Sequence, residues 1–170
     1  YKIRSGEGVV RLPHPHLEKV KVKSISAVGN VYAKLNRLVV KQLTVDLGGP
    51  TIELSGSATR HSDHADFNVR AAIAQLPIND LGRYWPSDVA SGFHEWVIEN
   101  IRDGSFSNSR IELSGRVDTA SGQVKISKFG ATAKVKNTKV HFFRPMPPVL
   151  NTDFTVAFGN DRIDIQIERG

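Results

Sequence analysis

Apolar and polar residues alternate along most of this chain, and this two-residue period limits the folds it can adopt. The pattern is clearest at 51–73, where Ile52 and Leu54 are flanked by polar residues and Phe67, Val69 and Ile73 resume it after a polar turn. In a β-strand, successive side chains point to opposite faces. Roughly ten segments show the pattern. The sequence therefore predicts a mainly β protein, as a single β-rich segment spanning residues 1–170.

The stretch 76–115 interrupts the alternation with one helical pattern. Pro86 suits a first helical turn, Ser87 or Asp88 can cap it, and Gly104 suits the exit from a helix. These signals predict one amphipathic α-helix at about 87–102. Its apolar residues recur at helical spacing and are predicted to pack against the sheet. They are Val89, Phe93, Trp96, Val97 and Ile101.

The single helix is too small to cover the predicted sheet. Ten strands spaced about 4.8 Å apart give a sheet on the order of 48 Å wide. A helix of roughly 14 residues is about 21 Å long and 10 Å across, so it covers two or three strands. The remaining apolar face must close as a sandwich, close as a barrel, or curl into an open trough. Physical grounds alone favour the two closed forms.

Composition narrows the classes of partner. The 170 residues are 39% hydrophobic and 24% charged, with a net charge of +6 and no cysteine. The basic residues are spread along the strands, so a solvated face is favoured over nucleic-acid binding. The sequence begins at Tyr1 without a signal peptide, and we expect it to be a fragment of a larger protein.

The sequence shows no arrangement typical of catalysis. His61, Asp63, His64 and Asp66 include potential metal ligands, but they fall on a predicted hairpin tip, where a solvated turn is expected. Nucleophile elbows and phosphate loops are absent from the sequence. We therefore expect no enzyme activity, no metal and no cofactor.

One five-letter repeat suggests where the sheet bends. The sequence IELSG occurs at 52–56 and again at 111–115, a weak repeat signal. Each copy places a glycine, Gly56 or Gly115, inside a predicted strand. Glycine at such a position permits a sharp bend.

Two ordered groups of residues resemble the AsmA-like superfamily, and in particular its YhdP-like branch, whose members carry a domain of unknown function in large envelope proteins. The first group is LGRYWP at 81–86, Trp96-Val97, Asn100-Ile101, Gly104 and Leu113-Ser114-Gly115. The second group is Phe143-Arg144-Pro145, Pro147-Pro148, Phe154, Phe158 and DRIDI at 161–165. Together they cover roughly a third to a half of the chain.

This resemblance implies a fold, a location and a function. Members of the superfamily are anchored in the inner membrane of Gram-negative bacteria and extend through the periplasm. They form a curled antiparallel sheet with an apolar channel and are linked to phospholipid transport toward the outer membrane. The resemblance therefore favours the open trough, or β-taco-like form, over the closed forms.

The expected partners are a phospholipid or other acyl-chain lipid and neighbouring β-modules of the same parent chain. The residues predicted to line the apolar groove are Ile52, Leu54, Phe67, Val69, Ile73, Ile111, Leu113, Val117, Phe154, Val156, Phe158, Ile163 and Ile165. The alternative is a non-catalytic structural or protein-interaction β-sandwich module of a large envelope protein.

Overall fold

Twelve strands and two α-helices make up the part of the chain that the structure describes. This computed structural model describes residues 1–10, 20–85, 91–143, 145–159 and 162–170. The helices are α1 (Leu81–Tyr84) and α2 (Ser91–Asn100), and 3₁₀ turns lie at Ala33–Leu35 and Ile78–Asp80. The strands are β1 (Lys2–Ser5), β2 (Gly8–Val10), β3 (Val20–Val22), β4 (Ser24–Tyr32), β5 (Arg37–Asp46), β6 (Thr51–Arg60), β7 (His64–Pro77), β8 (Ile101–Arg102), β9 (Ser105–Asp118), β10 (Val124–Val140), β11 (Val149–Phe158) and β12 (Ile163–Arg169).

Ten of these strands form one antiparallel sheet. Its order is β1-β4-β5-β6-β7-β9-β10-β11-β12, with β8 pairing beside β9 on the long strand β10, while β2 and β3 form a separate two-stranded sheet. Neighbours in the sheet are mostly neighbours in the sequence, because polar turns join them into hairpins. The sheet does not close, and β1 and β12 lie at its two edges. The predicted mainly β, open antiparallel fold is confirmed.

The helix is shorter than the predicted span of 87–102. It ends at Asn100, whose side-chain Nδ2 donates to the Trp96 carbonyl at 2.9 Å. Ile101 then enters β8 and pairs with Val140, so its placement on the helix was wrong. Positive φ angles at Asp103 and Gly104 turn the chain into β9. Helical spacing alone could not detect this ending, since an apolar residue one turn after Val97 suits a helix or a strand.

Part of the helix prediction falls outside the described residues. Residues 86–90 are among those not described, so the cap at Ser87 or Asp88 and the packing of Val89 lie outside the description. The side chain of Phe93 lies outside it as well. Trp96 is half-buried and Val97 is 1% exposed, so both pack where the pattern predicts.

The buried core is small and lies at one end of the sheet, where α1, α2 and β8 cover it. Val97 of α2 and Ile101 of β8 pack there against apolar side chains from β7, β10 and β11. The other buried members of this core are Leu76, Ile78, Leu81, Ala133, Val135, Val140, Phe154 and Val156. Two threonines are also buried, and Thr138 Oγ1 donates to the Thr152 carbonyl at 2.9 Å. Away from this end, Val22 of β3 is the one further hydrophobic side chain that is buried among the described residues, and no described helix packs on the rest of the sheet.

Candidate ligand-binding face

Apolar side chains in register form a continuous row across the open sheet. The row crosses all nine strands of the main path, because the hairpin registers bring an apolar position of each strand opposite one of the next. Its members are Ile3, Ala27, Leu43, Leu54, Ala71, Ile111, Ala131, Phe158 and Ile163. We call the side of the sheet that carries this row the apolar face.

Two further rows widen the apolar face on the side away from the helix. One row is Gly29, Val40, Gly56, Val69, Leu113 and Phe129. The next is Val31, Leu38, Ala58, Phe67, Gly115 and Ile126. A shallow groove of about 360 Å³ lies at the end of this last row, lined in part by Val31, Leu38 and Ala58. The apolar face therefore consists of at least three adjacent rows of residues and spans the sheet.

Most predicted groove residues lie on this face, half-buried by their neighbours in the sheet. The structure brings together residues of β6, β7 and β9, and Phe158 lies on the same face on β11, beyond Ala131 of β10. They are Ile52, Leu54, Phe67, Val69, Ile73, Ile111, Leu113 and Val117.

Four of the predicted residues are not half-buried in this way: two are fully buried and two are exposed. Phe154 and Val156 are only 7% and 2% exposed, because they lie in the core at the helix end, so placing them in an open groove was wrong. Ile163 and Ile165 are 46% and 47% exposed on the edge strand β12. They continue the apolar face to the sheet edge, since they pair with Phe158 and Val156.

Several residues of the same face were not among those predicted from the sequence. Leu43 and Val45 of β5 and Phe129 and Ala131 of β10 are half-buried there. Their strands also alternate, so the two-residue period contained the signal. The two-residue period does not give the register that aligns β5 and β10 with the β6–β7 hairpin.

The solvent-accessible surface of the chain is larger than that of a compact monomer of the same mass. The chain exposes 11397 Å². A compact monomer of 18.7 kDa exposes about 8,300 Å² by the usual scaling of area with mass. The excess of about 3,100 Å² is what a sheet with one layer over most of its area produces.

The opposite face of the sheet is polar. Arg70 Nε contacts Glu112 Oε1 at 3.2 Å, and Lys128 Nζ lies 3.7 Å from the other oxygen of Glu112. Asn68 Nδ2 donates to Ser114 Oγ at 2.8 Å. A groove of about 360 Å³ on this side is lined mainly by polar and charged residues. These exposed pairs contribute little stability, but they mark this face as the solvated one.

The tip of the β6–β7 hairpin brings potential metal ligands together. One ligand atom from each of His61, His64 and Asp66 lies within 4.8 Å of the other two. The hydrogen bond with His64 lowers the pKa of the Asp63 carboxyl below its ordinary value of 3.8. The hydrogen bond from Arg116 lowers the pKa of Asp66 in the same way. The sequence predicts a solvated turn here, and it does not predict this convergence of side chains.

Two other aspartates accept hydrogen bonds from irregular backbone, one at a turn and one at a bulge within a strand. Backbone and side-chain donors of Ser121 lower the pKa of Asp118, which also accepts from the Ala120 N–H at 3.1 Å. The Asn137 backbone N–H donates to Asp153 at 2.7 Å and lowers the pKa of that carboxyl. Asp118 therefore stabilises the turn after β9, and Asp153 stabilises the bulge at Asn137 within β10.

Among the described residues, no helix has the length and apolar character needed to cross a membrane. Comparisons of the chain with protein-family models, with curated proteins and with solved structures found no match.

Proposed function

We propose that this chain binds acyl chains of a phospholipid or another lipid on its apolar face, as a segment of a lipid-transport protein of the cell envelope. The observation that carries the proposal is the row of apolar side chains crossing nine strands. Among the described residues, the helices pack against the sheet at one end and leave this row uncovered. An exposed apolar surface that spans a sheet is typical of a binding surface. The resemblance to the AsmA-like superfamily supports a periplasmic location and a parent anchored in the inner membrane.

Hydrocarbon suits this face better than a polar ligand does. The three rows offer methyl, methylene and aromatic groups, while the charged side chains of the same strands lie on the other face. Each methylene moved from water to such a surface contributes about 0.8 kcal/mol. Binding therefore needs no covalent chemistry, and its strength depends on the length of acyl chain that the face covers.

Val69 gives the sharpest test, because it lies in the middle of the apolar face between Gly56 and Leu113. A long-chain fatty acid carrying a fluorophore should bind the lipid-free chain, and Val69→Asp should weaken binding at least about tenfold. Val69 is half-buried, so the variant should still fold. Native mass spectrometry after mild extraction should find lipid on the unmodified chain and little on the variant.

Thr132→Asp is the matched control. Thr132 is exposed on the polar face of β10, where it pairs with Arg110, so the same charge is added to the same sheet away from the proposed ligand. Its affinity for the fatty acid should stay within about twofold of the unmodified chain. Equal losses in the two variants, or no binding by the unmodified chain, would refute the proposal.

The edge strand β12 supports a second candidate, an interaction module that pairs with neighbouring β-modules of the parent. Along β12, Ile163, Ile165 and Ile167 are 46%, 47% and 57% exposed, and the described residues place no strand on its outer side. An open edge of this kind favours pairing with another strand. Sedimentation of the chain with and without Ile165→Lys tests this candidate, which fails if neither protein associates at high concentration.

A further inference from the structure

Two histidines and an aspartate converge at the tip of the β6–β7 hairpin, at the far end of the sheet from the helix. His61 Nε2 lies 3.2 Å from Asp66 Oδ2, and His64 Nε2 lies 3.7 Å from the same oxygen. The two imidazole rings are stacked, with centroids 4.6 Å apart. Two ring nitrogens and one carboxylate oxygen therefore face a common point at the surface.

Backbone hydrogen bonds hold the hairpin tip in place. The His61 N–H donates to the His64 carbonyl at 2.7 Å and closes the turn. The Thr119 N–H donates to the Asp63 carbonyl at 3.0 Å, which ties the tip to the turn after β9. These bonds fix the backbone that carries the three side chains. Binding a ligand here therefore avoids the entropic cost of ordering a flexible loop.

Neighbouring side chains leave the converging atoms free to accept a ligand. Asp63 Oδ1 lies 2.7 Å from His64 Nδ1, and a carboxylate in this position favours the tautomer in which Nδ1 donates, which in a neutral ring places the lone pair on Nε2. Arg116 Nε donates to Asp66 Oδ1 at 3.1 Å and leaves Oδ2 facing the histidines. In metal sites, the ring nitrogen of a histidine that does not bind the metal usually donates a hydrogen bond to a carboxylate or carbonyl oxygen, which orients the ring.

We propose that His61 Nε2, His64 Nε2 and Asp66 Oδ2 bind a divalent transition-metal ion, with Zn²⁺ as the test ion. Zinc accepts imidazole and carboxylate ligands at about 2.0–2.1 Å, which places tetrahedral ligand atoms about 3.3 Å apart. Both distances to Asp66 Oδ2 are near this value, and one ligand atom from each of the three residues lies within 4.8 Å of the other two. The fourth position faces solvent, since the side chains of His61 and Asp66 are 45% and 48% exposed.

Isothermal titration of the metal-free chain with Zn²⁺ tests the site. The measurement uses a His14→Gln, His16→Gln background, so that the histidines at 14 and 16 contribute no signal. The titration should show about one equivalent of Zn²⁺ bound, and His61→Gln or His64→Gln should abolish it. At a free concentration about 100 times the Kd, Zn²⁺ should raise the Tm by about 5–10 °C.

Two further variants distinguish a preformed metal site from nonspecific binding of Zn²⁺ by histidines. Asp63→Asn should keep the stoichiometry but weaken affinity about 10- to 100-fold, because Asp63 orients a ligand without being one. His141→Gln, which changes a histidine elsewhere in the chain, should leave affinity and stoichiometry unchanged. Circular dichroism of each metal-free variant should match that of the parent chain. The proposal is overturned by less than half an equivalent bound, or by binding that survives His61→Gln and His64→Gln together.

Discussion

Gly56 shows at the scale of one residue how closely two strands of the sheet approach. A Cβ atom added at this position would lie 2.3 Å from the Asn68 carbonyl oxygen and 3.1 Å from Val69 Cα. Both are backbone atoms of the paired strand β7, so neither can move aside as the end of a flexible side chain can. Gly115 has a comparable position on the other side of β7, where the Phe67 ring lies against it. The two IELSG copies thus flank the same strand.

Gly56→Ala should therefore destabilise the chain. Forcing the strands apart at this point should lower the free energy of unfolding by about 1–3 kcal/mol, as overpacking does in a core. Urea unfolding followed by circular dichroism measures the change. Gly8→Ala is the matched control, because nothing lies within 4 Å of its added Cβ, and it should change stability by less than about 0.5 kcal/mol. Equal effects of the two variants would contradict the close approach at Gly56.

At the scale of one element, α2 is stabilised through the side that it buries on the sheet. Val97 is 1% exposed within the core, while Glu95 and Glu99 of the same helix are exposed.

Val97→Ala should lower the free energy of unfolding by about 1–2 kcal/mol, since the lost methyl groups outweigh the better helix propensity of alanine. Thermal and urea unfolding measure this loss. Glu99→Ala, the control on the exposed side, should change stability by less than about 0.5 kcal/mol. A Val97→Ala variant as stable as this control would show that α2 does not pack on the sheet.

The elements also show which features the sequence could predict. Alternation identified β5, β6, β7 and β9 to β12 because each has one apolar and one polar face, and strong turn residues at 48–50 and 61–64 separated the hairpins. The end of α2 could not be predicted, since Ile101 suits both a helix and β8. The burial of Phe154 and Val156 could not be predicted either. Their strand continues past the open part of the apolar face to the helix end, and only the register shows where that boundary falls.

At the scale of the whole molecule, the open sheet was one of three forms that the sequence left possible. Counting strands against the size of one helix showed that the helix cannot cover the sheet, but it did not decide between closure and an open face. Closure depends on whether the edge strands meet, and β1 and β12 do not pair. The convergence of His61, His64 and Asp66 was likewise invisible in the sequence, because spacing along a hairpin does not give the direction of side chains around a turn.

The uncovered surface should be measurable in the heat capacity of unfolding. Unfolding a compact 18.7 kDa protein exposes about 18,800 Å², whereas this chain has about 3,100 Å² less to expose, a deficit of about one sixth. Since the exposed apolar face contributes to this deficit, the heat capacity change of the lipid-free chain should fall below the usual range of about 12–15 cal/mol/K per residue. Scanning calorimetry at two protein concentrations measures it and detects self-association. Saturation with a long-chain fatty acid should raise the value, because unfolding then exposes the apolar face along with its ligand. A lipid-free value within the usual range, the same at both concentrations, would show that the apolar face is covered in solution.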